Sequence, residues 1–164
     1  MYDKVNEDRG ILNDFDLAHL SEKPRPSNTK RTGTMPFMAL DLLTEDAWDG
    51  KIPRLYRHDC ESFAWVLLWI CCRYEDGKEI HEAPLSDLIT HDFEVCLGKK
   101  SGLILRNFAN LAPRKPYETF WDAVKKLFYF HHDLQIAINR RQMQEPTVDE
   151  VFETYRKVGF MDLS

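Results

Sequence analysis

The longest apolar run in the chain, residues 63–72, limits the possible fold more than any other feature. It is about half as long as a membrane span requires, so we expect a helix inside a domain core. Four of its apolar residues recur at helical spacing and three more fill the other face: Phe63, Val66, Leu67 and Ile70, then Trp65, Leu68 and Trp69. The pattern predicts a helix over residues 57–73 that is buried almost all round.

The composition is that of one compact domain. Of the 164 residues, 43% are apolar and 12% are aromatic, which is enough for a real core. The 22 basic and 27 acidic residues give a net charge of -5, without a basic block that could follow a phosphate backbone. We therefore expect no nucleic acid among the partners.

Cysteine usage and the N-terminus indicate a reducing compartment. The four cysteines form no C-x-x-C pair, and we expect them to be buried thiols: Cys60, Cys71, Cys72 and Cys96. Residues 1–8 are charged and lack the apolar stretch of a secretory signal. These features predict a cytoplasmic or nuclear protein that does not enter a membrane.

The remaining patterns predict one mainly helical unit with a short β element at its start. Residues 10–18 alternate apolar and polar side chains, as a strand running into a turn would, and residues 19–36 are typical of an exposed loop. Amphipathic helices are predicted over 84–97 and 117–139. Pro146-Thr147 then opens a last helix, in which Thr147 and Glu150 form the S/T-x-x-E capping-box pattern.

Three segments in fixed order resemble the activation segment and central helix of a protein kinase. They are ILNDFDLA at 11–18, TGTMPFMALD at 32–41 and YRHDCESFAWVLLW at 56–69. Their spellings D-F-D-L-A, T-G-T-M-P-F-M-A and R-H-D-C-E-S are similar to those of the fungal-type protein kinase family. The resemblance implies the C-terminal lobe of an α+β kinase-like fold, with the whole chain as a partial kinase domain.

The parts of that domain follow from the positions of the three segments. The resemblance implies a metal-binding strand and turn over 1–18, an activation segment over 19–41, the central buried helix over 57–73, and C-terminal helices over 84–158. A complete domain of this family transfers phosphoryl groups from ATP to serine or threonine of proteins, with Mg²⁺. Protein substrates or partner proteins are the expected partners.

The resemblance assigns a metal-binding role to Asp14. A hard dication prefers anionic oxygen, and the family uses this carboxylate to hold Mg²⁺ on the nucleotide phosphates. A carboxylate that only caps the turn after the strand is the alternative. Phe15 matches the aromatic residue that packs beneath a helix of the other lobe. Asp16 replaces a glycine and is expected to be a solvated turn carboxylate, with assistance to the metal as the alternative.

The next segment would handle the protein substrate. Thr32, Gly33 and Thr34 match the end of the activation segment and the peptide-docking turn, whose threonine hydroxyl bonds to the catalytic aspartate. Serines and threonines at positions 21, 27, 29 and 32 are possible phosphorylation sites, and an unmodified polar loop is the equal alternative.

Two carboxylates have predicted structural roles. Asp41 stands where kinases have a glutamate whose arginine partner sits just before the Pro-Thr of the last helix. That position is Glu145 here, so Arg140 or Arg141 is the expected substitute, unless the pair is missing. Asp59 matches the acid that accepts backbone N–H groups of the catalytic loop. Without that loop it would be an unsatisfied or a surface acid.

Several parts of a kinase domain are not found ahead of Asp14. Residues 2–9, YDKVNEDR, do not spell H-R-D-x-x-x-x-N, and neither a glycine-rich loop nor a V-A-x-K lysine precedes them. The sequence thus predicts no general base, and a chain that by itself is inactive and binds neither ATP nor Mg²⁺. The alternative is a truncated pseudokinase that binds proteins. The helix that lies behind the catalytic loop in kinases is also not found in the sequence. Without it, an apolar patch on the central helix would be exposed. His131 and His132 are expected to be partly exposed.

Overall fold

The computed structural model describes residues 33–160, with side chains up to residue 158. The predicted strand at 10–18 and most of the predicted loop therefore lie outside the described residues. So do three of the predicted site residues, Asp14, Phe15 and Thr32.

The described part of the chain is mainly helical, as predicted. Its α-helices are α1 Glu45–Trp48, α2 Tyr56–Arg73, α3 Phe93–Leu105, α4 Trp121–Asn139 and α5 Val148–Tyr155. Shorter 3-10 turns cover Met35–Phe37, Leu40–Leu43, Ser86–Leu88 and Lys115–Phe120, and a π turn covers Arg156–Phe160. Within these residues no helix combines the length and the apolar character that crossing a bilayer demands.

A small antiparallel hairpin follows α2 directly. Its strands, β1 Tyr74–Glu75 and β2 Lys78–Glu79, are joined by Asp76-Gly77. Both turn residues have positive φ, 49° and 73°, which an Asp-Gly pair adopts readily in two-residue hairpin loops.

The core forms around one face of α2. Trp65 packs edge-on against Phe128 of α4 with ring centroids 4.5 Å apart, and Phe108 lies 5.1 Å from the same ring. Leu68 and Cys72 are completely buried in this cluster. Helix α4 is the main partner of α2, and the side chains of Val124, Leu127 and Phe128 supply its buried stripe.

The expectation that this central helix is buried almost all round is wrong. Among the described residues Phe63 is 50% and Ile70 38% exposed, and both belong to the predicted apolar stripe. The buried face instead includes three charged or polar residues, Arg57, His58 and Glu61. The reason is that these polar groups have partners on neighbouring elements, which hold that face inward.

Helix α3 begins nine residues later than the predicted start at residue 84. Leu85 has a left-handed backbone, φ 67°, and a 3-10 turn follows it, so residues 84–92 do not form an α-helix. Asp92 then caps α3, because its carboxylate accepts the N–H of Val95 at 3.1 Å. Residues 117–120 of the next predicted helix lie in the 3-10 turn before α4.

The capping box of α5 is confirmed. The Thr147 hydroxyl accepts the N–H of Glu150 at 3.3 Å, and the Glu150 carboxylate accepts the Thr147 N–H at 2.8 Å. Two backbone donors at the helix start are thereby satisfied.

All four cysteines carry free thiols, as expected. Cys71, Cys72 and Cys96 are buried and Cys60 is half-buried. Burial raises the pKa of Cys71 to about 11 and of Cys72 to about 12, so both thiols stay protonated at neutral pH.

Candidate functional site

The described part of the predicted site is residues 33–43, here called the docking segment. It consists of an extended Gly33-Thr34 followed by the two 3-10 turns. Phe37 donates its N–H to the Thr34 carbonyl at 2.8 Å, and Met38 donates to Met35 at 3.2 Å. Pro36 fits in this first turn, because a backbone N–H there would have no partner within the helix and proline has none.

Thr34 presents its side chain to solvent at the start of the docking segment. It is exposed, and its hydroxyl makes no capping hydrogen bond. A Cβ at Gly33 would stand 3.1 Å from Cγ of Met38, closer than ordinary van der Waals contact. The turn thus offers an exposed hydroxyl beside a backbone position with little room for a side chain.

Asp41 anchors the far end of the docking segment to a buried guanidinium. Nη2 of Arg57 lies 2.6 Å from Oδ2 of Asp41, and Nε of Arg57 lies 2.6 Å from Oε1 of Glu145. Nη1 donates to Oε1 of Gln135 at 3.1 Å. We call this group the Arg57 junction. It joins the docking segment to α2, α4 and the loop before α5.

The expected partner of Asp41 is therefore wrong, although the acid is paired. Arg140 and Arg141 are both exposed, and the arginine comes from the first turn of α2 instead. Glu145, which stands where the resemblance expects an arginine, becomes a second acid on the same guanidinium.

His58 completes the environment of Asp41. Its Nδ1 accepts the Leu55 N–H at 3.2 Å, so the proton of the neutral ring is on Nε2, which lies 3.3 Å from Oδ2 of Asp41. Burial pushes the pKa of Asp41 upward, but hydrogen bonds from His58 and Arg57 outweigh it and hold that pKa below its usual value. Asp41 is ionised at neutral pH.

A second pair of buried charges holds the middle of the docking segment. Oε1 of Glu61 accepts the Leu40 N–H at 2.9 Å and the indole N–H of Trp65 at 3.2 Å. Nζ of Lys100 donates to the Met38 carbonyl and lies 4.1 Å above the Trp65 ring. Sequence reasoning missed both residues. The only sequence signal is that Lys100 lies four residues after Cys96 and four before Ile104, in one buried row of α3.

Asp59 is a surface acid. Its side chain is 62% exposed and lies 3.6 Å from Nε of Arg54. This is one of the two outcomes expected without a catalytic loop, and its role in holding that loop stays a prediction. The metal role of Asp14 and the packing role of Phe15 also stay predictions.

His131 was expected to be partly exposed, and this expectation is wrong. The residue is buried, with only 6% of its surface exposed. Its Nε2 lies 2.7 Å from the hydroxyl of Tyr155, which in turn donates to the Cys60 carbonyl at 2.5 Å. Burial, aided by Arg57 and His58, lowers the pKa of His131 to about 3. The neutral His131 ring ties α4 to α5 through Tyr155, and the Tyr155 hydroxyl ties α5 to α2, which is a structural role.

The described residues bring together anchoring groups rather than a phosphoryl-transfer set. Within residues 33–158 no group of three His, Cys, Asp or Glu side chains is arranged to hold a metal ion. A groove of about 440 Å³ between α4 and α5 is lined by none of the predicted site residues. Two buried groups, Asp41 with Arg57 and Glu61 with Lys100, hold the segment that carries the exposed Thr34 turn.

One comparison with known proteins finds a match, over the first part of the chain. The family model described as fungal protein kinase matches residues 1–71, which span the predicted metal-binding turn, the docking segment and most of α2. No curated protein and no solved structure matches the chain. The match covers residues 1–71 of the 164, and it supports a relationship of this part of the chain to the fungal protein kinase family.

Proposed function

We propose that this chain is the substrate-side part of a fungal-type protein kinase domain that, when complete, phosphorylates serine or threonine of proteins. The observation that carries the proposal is the exposed Thr34 turn, held by the buried anchors at Asp41 and Leu40. A substrate-positioning turn has to be rigid, because misplacing the acceptor hydroxyl by about 1 Å costs on the order of 100-fold in rate. The match of residues 1–71 to the fungal protein kinase family model supports the same role.

The proposed roles of the other residues follow the family pattern. Asp14 binds the Mg²⁺ that neutralises charge on the ATP phosphates, and Phe15 packs against the other lobe. Thr32, Gly33 and Thr34 position the acceptor peptide, and Asp59 orients the catalytic loop. These roles belong to a kinase C-terminal lobe, which is the proposed fold.

We further propose that the 164-residue chain alone transfers no phosphoryl group. Its sequence ahead of Asp14 spells neither a catalytic loop nor a nucleotide-binding lysine. The pure chain should therefore show no incorporation of labelled phosphate into a casein acceptor. Incorporation above a no-enzyme control would refute this part of the proposal.

The intact endogenous protein gives the decisive test. A C-terminal tag at the natural locus allows its mass to be compared with 19.4 kDa, and allows its kinase activity to be assayed. For a longer product we expect activity that Asp14→Asn abolishes. Asp16→Asn is the matched control, because Asp16 is expected to be a turn carboxylate that does not bind the metal. A longer product without activity, or one that tolerates Asp14→Asn, would contradict the kinase proposal.

A protein-binding pseudokinase is the second candidate, and the exposed face of α2 favours it. Tyr56, Phe63 and Ile70 recur every seven residues and are 41%, 50% and 38% exposed. Such a stripe fits a partner helix. A tagged product of 19.4 kDa that forms a stable complex with a kinase would support this candidate. Phe63→Ser should abolish the complex, whereas Ile89→Ser, at an exposed residue off the stripe, should not.

A further inference from the structure

Two buried side chains of opposite charge form hydrogen bonds with neighbouring backbone groups of the docking segment. The ammonium of Lys100, which is 0% exposed, donates to the carbonyl of Met38. The carboxyl of Glu61, 4% exposed, accepts the N–H of Leu40 at 2.9 Å. A buried ammonium is rare without a carboxylate in direct contact, because desolvation of the charge is costly.

The indole of Trp65 contacts both Glu61 and Lys100. Its N–H donates to Glu61 at 3.2 Å, and its ring face lies 4.1 Å from Nζ of Lys100. A cation over an indole face is attracted by the ring quadrupole. The arrangement thus links α2, α3 and the docking segment through one side chain from each helix and one shared ring.

Titratable groups from three described elements face this arrangement. Glu61 of α2 attracts the Lys100 ammonium, while Asp41 of the docking segment repels the Glu61 carboxylate. Cys96 of α3 faces the amine as a neutral thiol, because burial raises its pKa. The charge of Asp41 is in turn offset by Arg57. Burial lowers the pKa of the Lys100 amine to about 7 against this attraction, and burial raises the pKa of Glu61.

We propose that Lys100 and Glu61 are positioning residues that form a proton-sensitive clamp on residues 38–40. With the amine protonated, the Met38 carbonyl receives a charge-assisted hydrogen bond and the Trp65 ring holds a cation. Loss of the proton leaves a neutral amine, which makes a weaker bond and no cation–π contact. The clamp loosens as pH rises through neutrality.

The clamp reaches the turn that precedes it. The side chain of Met38 lies against Gly33, with 3.1 Å between Cγ and the place of a Cβ there, and Phe37 bonds to the Thr34 carbonyl. A shift of Met38 therefore changes the space and bonding at the turn. Its effect on substrate docking rests on the proposed function, whereas the clamp itself is measured without substrate.

The test is an NMR titration of the full chain between pH 5.5 and 9. The side-chain signals of Lys100 should titrate with a midpoint near 7, and the amide signals of Met38 and Leu40 should move with the same midpoint. Lys100→Met should remove that midpoint from both amides. Lys99→Met is the matched control, because Lys99 is on the same helix, its side chain is 39% exposed, and it bonds to the Asp87 carbonyl at 2.7 Å, away from residues 38–40.

Either of two results would overturn the clamp. One is that the Lys100 signals show the amine protonated up to pH 9. The other is that the amide signals of Met38 and Leu40 still titrate with the same midpoint in Lys100→Met. If the Lys100→Met chain does not fold, Glu61→Gln gives the same decision. Removing the carboxylate should move the Lys100 midpoint to lower pH, and an unchanged midpoint would refute the coupling. Loss of kinase activity is not a readout in this experiment, so failure of the proposed function would not affect it.

Discussion

Replacing Arg57 with methionine tests the Arg57 junction, because it removes the charge while keeping an apolar stem of similar length. The Arg57 side chain is 6% exposed and touches the carboxylates of Asp41, 13% exposed, and Glu145, 36% exposed. Removing one partner of a buried ion pair costs about 3–5 kcal/mol, mostly because a charge is left buried without its counterion. The loss should be concentrated at Asp41.

The structure places the expected cost near the lower end of that range. Glu145 is exposed enough to be hydrated again, and Asp41 keeps its contact with His58 at 3.3 Å. We therefore expect Arg57→Met to lower the free energy of unfolding by about 3 kcal/mol. Asp41→Asn keeps an oxygen that can accept a hydrogen bond but loses the charge. It should lower the free energy of unfolding by about 1.5–3 kcal/mol.

Urea unfolding followed by circular dichroism measures both changes, and the double variant supplies the coupling energy. Arg54→Met is the matched control. Its pair with Asp59 is exposed and 3.6 Å long, so it should cost well under about 1 kcal/mol. The reasoning is refuted if Arg57→Met costs no more than the control, or if Arg57→Met and Asp41→Asn are additive.

The junction also predicts a pH dependence with a definite sign. The pKa of Asp41 is lowered in the folded chain from an ordinary value of 3.8. Its contribution to stability is therefore complete above pH 3.8 and is lost as pH falls through the lower folded value. In Asp41→Asn this part of the acid-induced loss of stability should be absent.

Three further changes test the packing that supports the site. Phe128→Ala, in the centre of the core, should cost about 3–5 kcal/mol in urea unfolding, and a cost below about 1 kcal/mol would contradict the observed Trp65 contact. Tyr155→Phe leaves His131 and the Cys60 carbonyl without their shared hydroxyl and should cost about 1–3 kcal/mol, whereas an unchanged unfolding midpoint would mean that the bridge is not formed. Thr147→Ala should cost about 1 kcal/mol, while Thr147→Ser should be close to neutral.

Some features could be predicted because they depend on neighbours along the chain. The capping box at Thr147 and the helix over the apolar run are local patterns. The hairpin at Asp76-Gly77 had an equally local signal, since Asp-Gly favours two-residue turns, and it was overlooked between two helices. The start of α3 was misplaced because residues 84–92 share the helical spacing of apolar residues but not the backbone of a helix.

The sequence by itself determined the mainly helical class, the similarity of residues 1–71 to the fungal protein kinase family and the position of the acid at residue 41. These depend on residue order and on patterns of a few residues. Only the tertiary structure decided which arginine meets Asp41, which face of α2 is buried, and that Lys100 reaches Met38. Arg57 is 16 residues from Asp41 and 88 from Glu145, and Lys100 is 62 from Met38. Contacts at such separations depend on how whole helices pack. The sequence therefore favoured Arg140 or Arg141, which lie close to the expected position along the chain, whereas the packing selects Arg57.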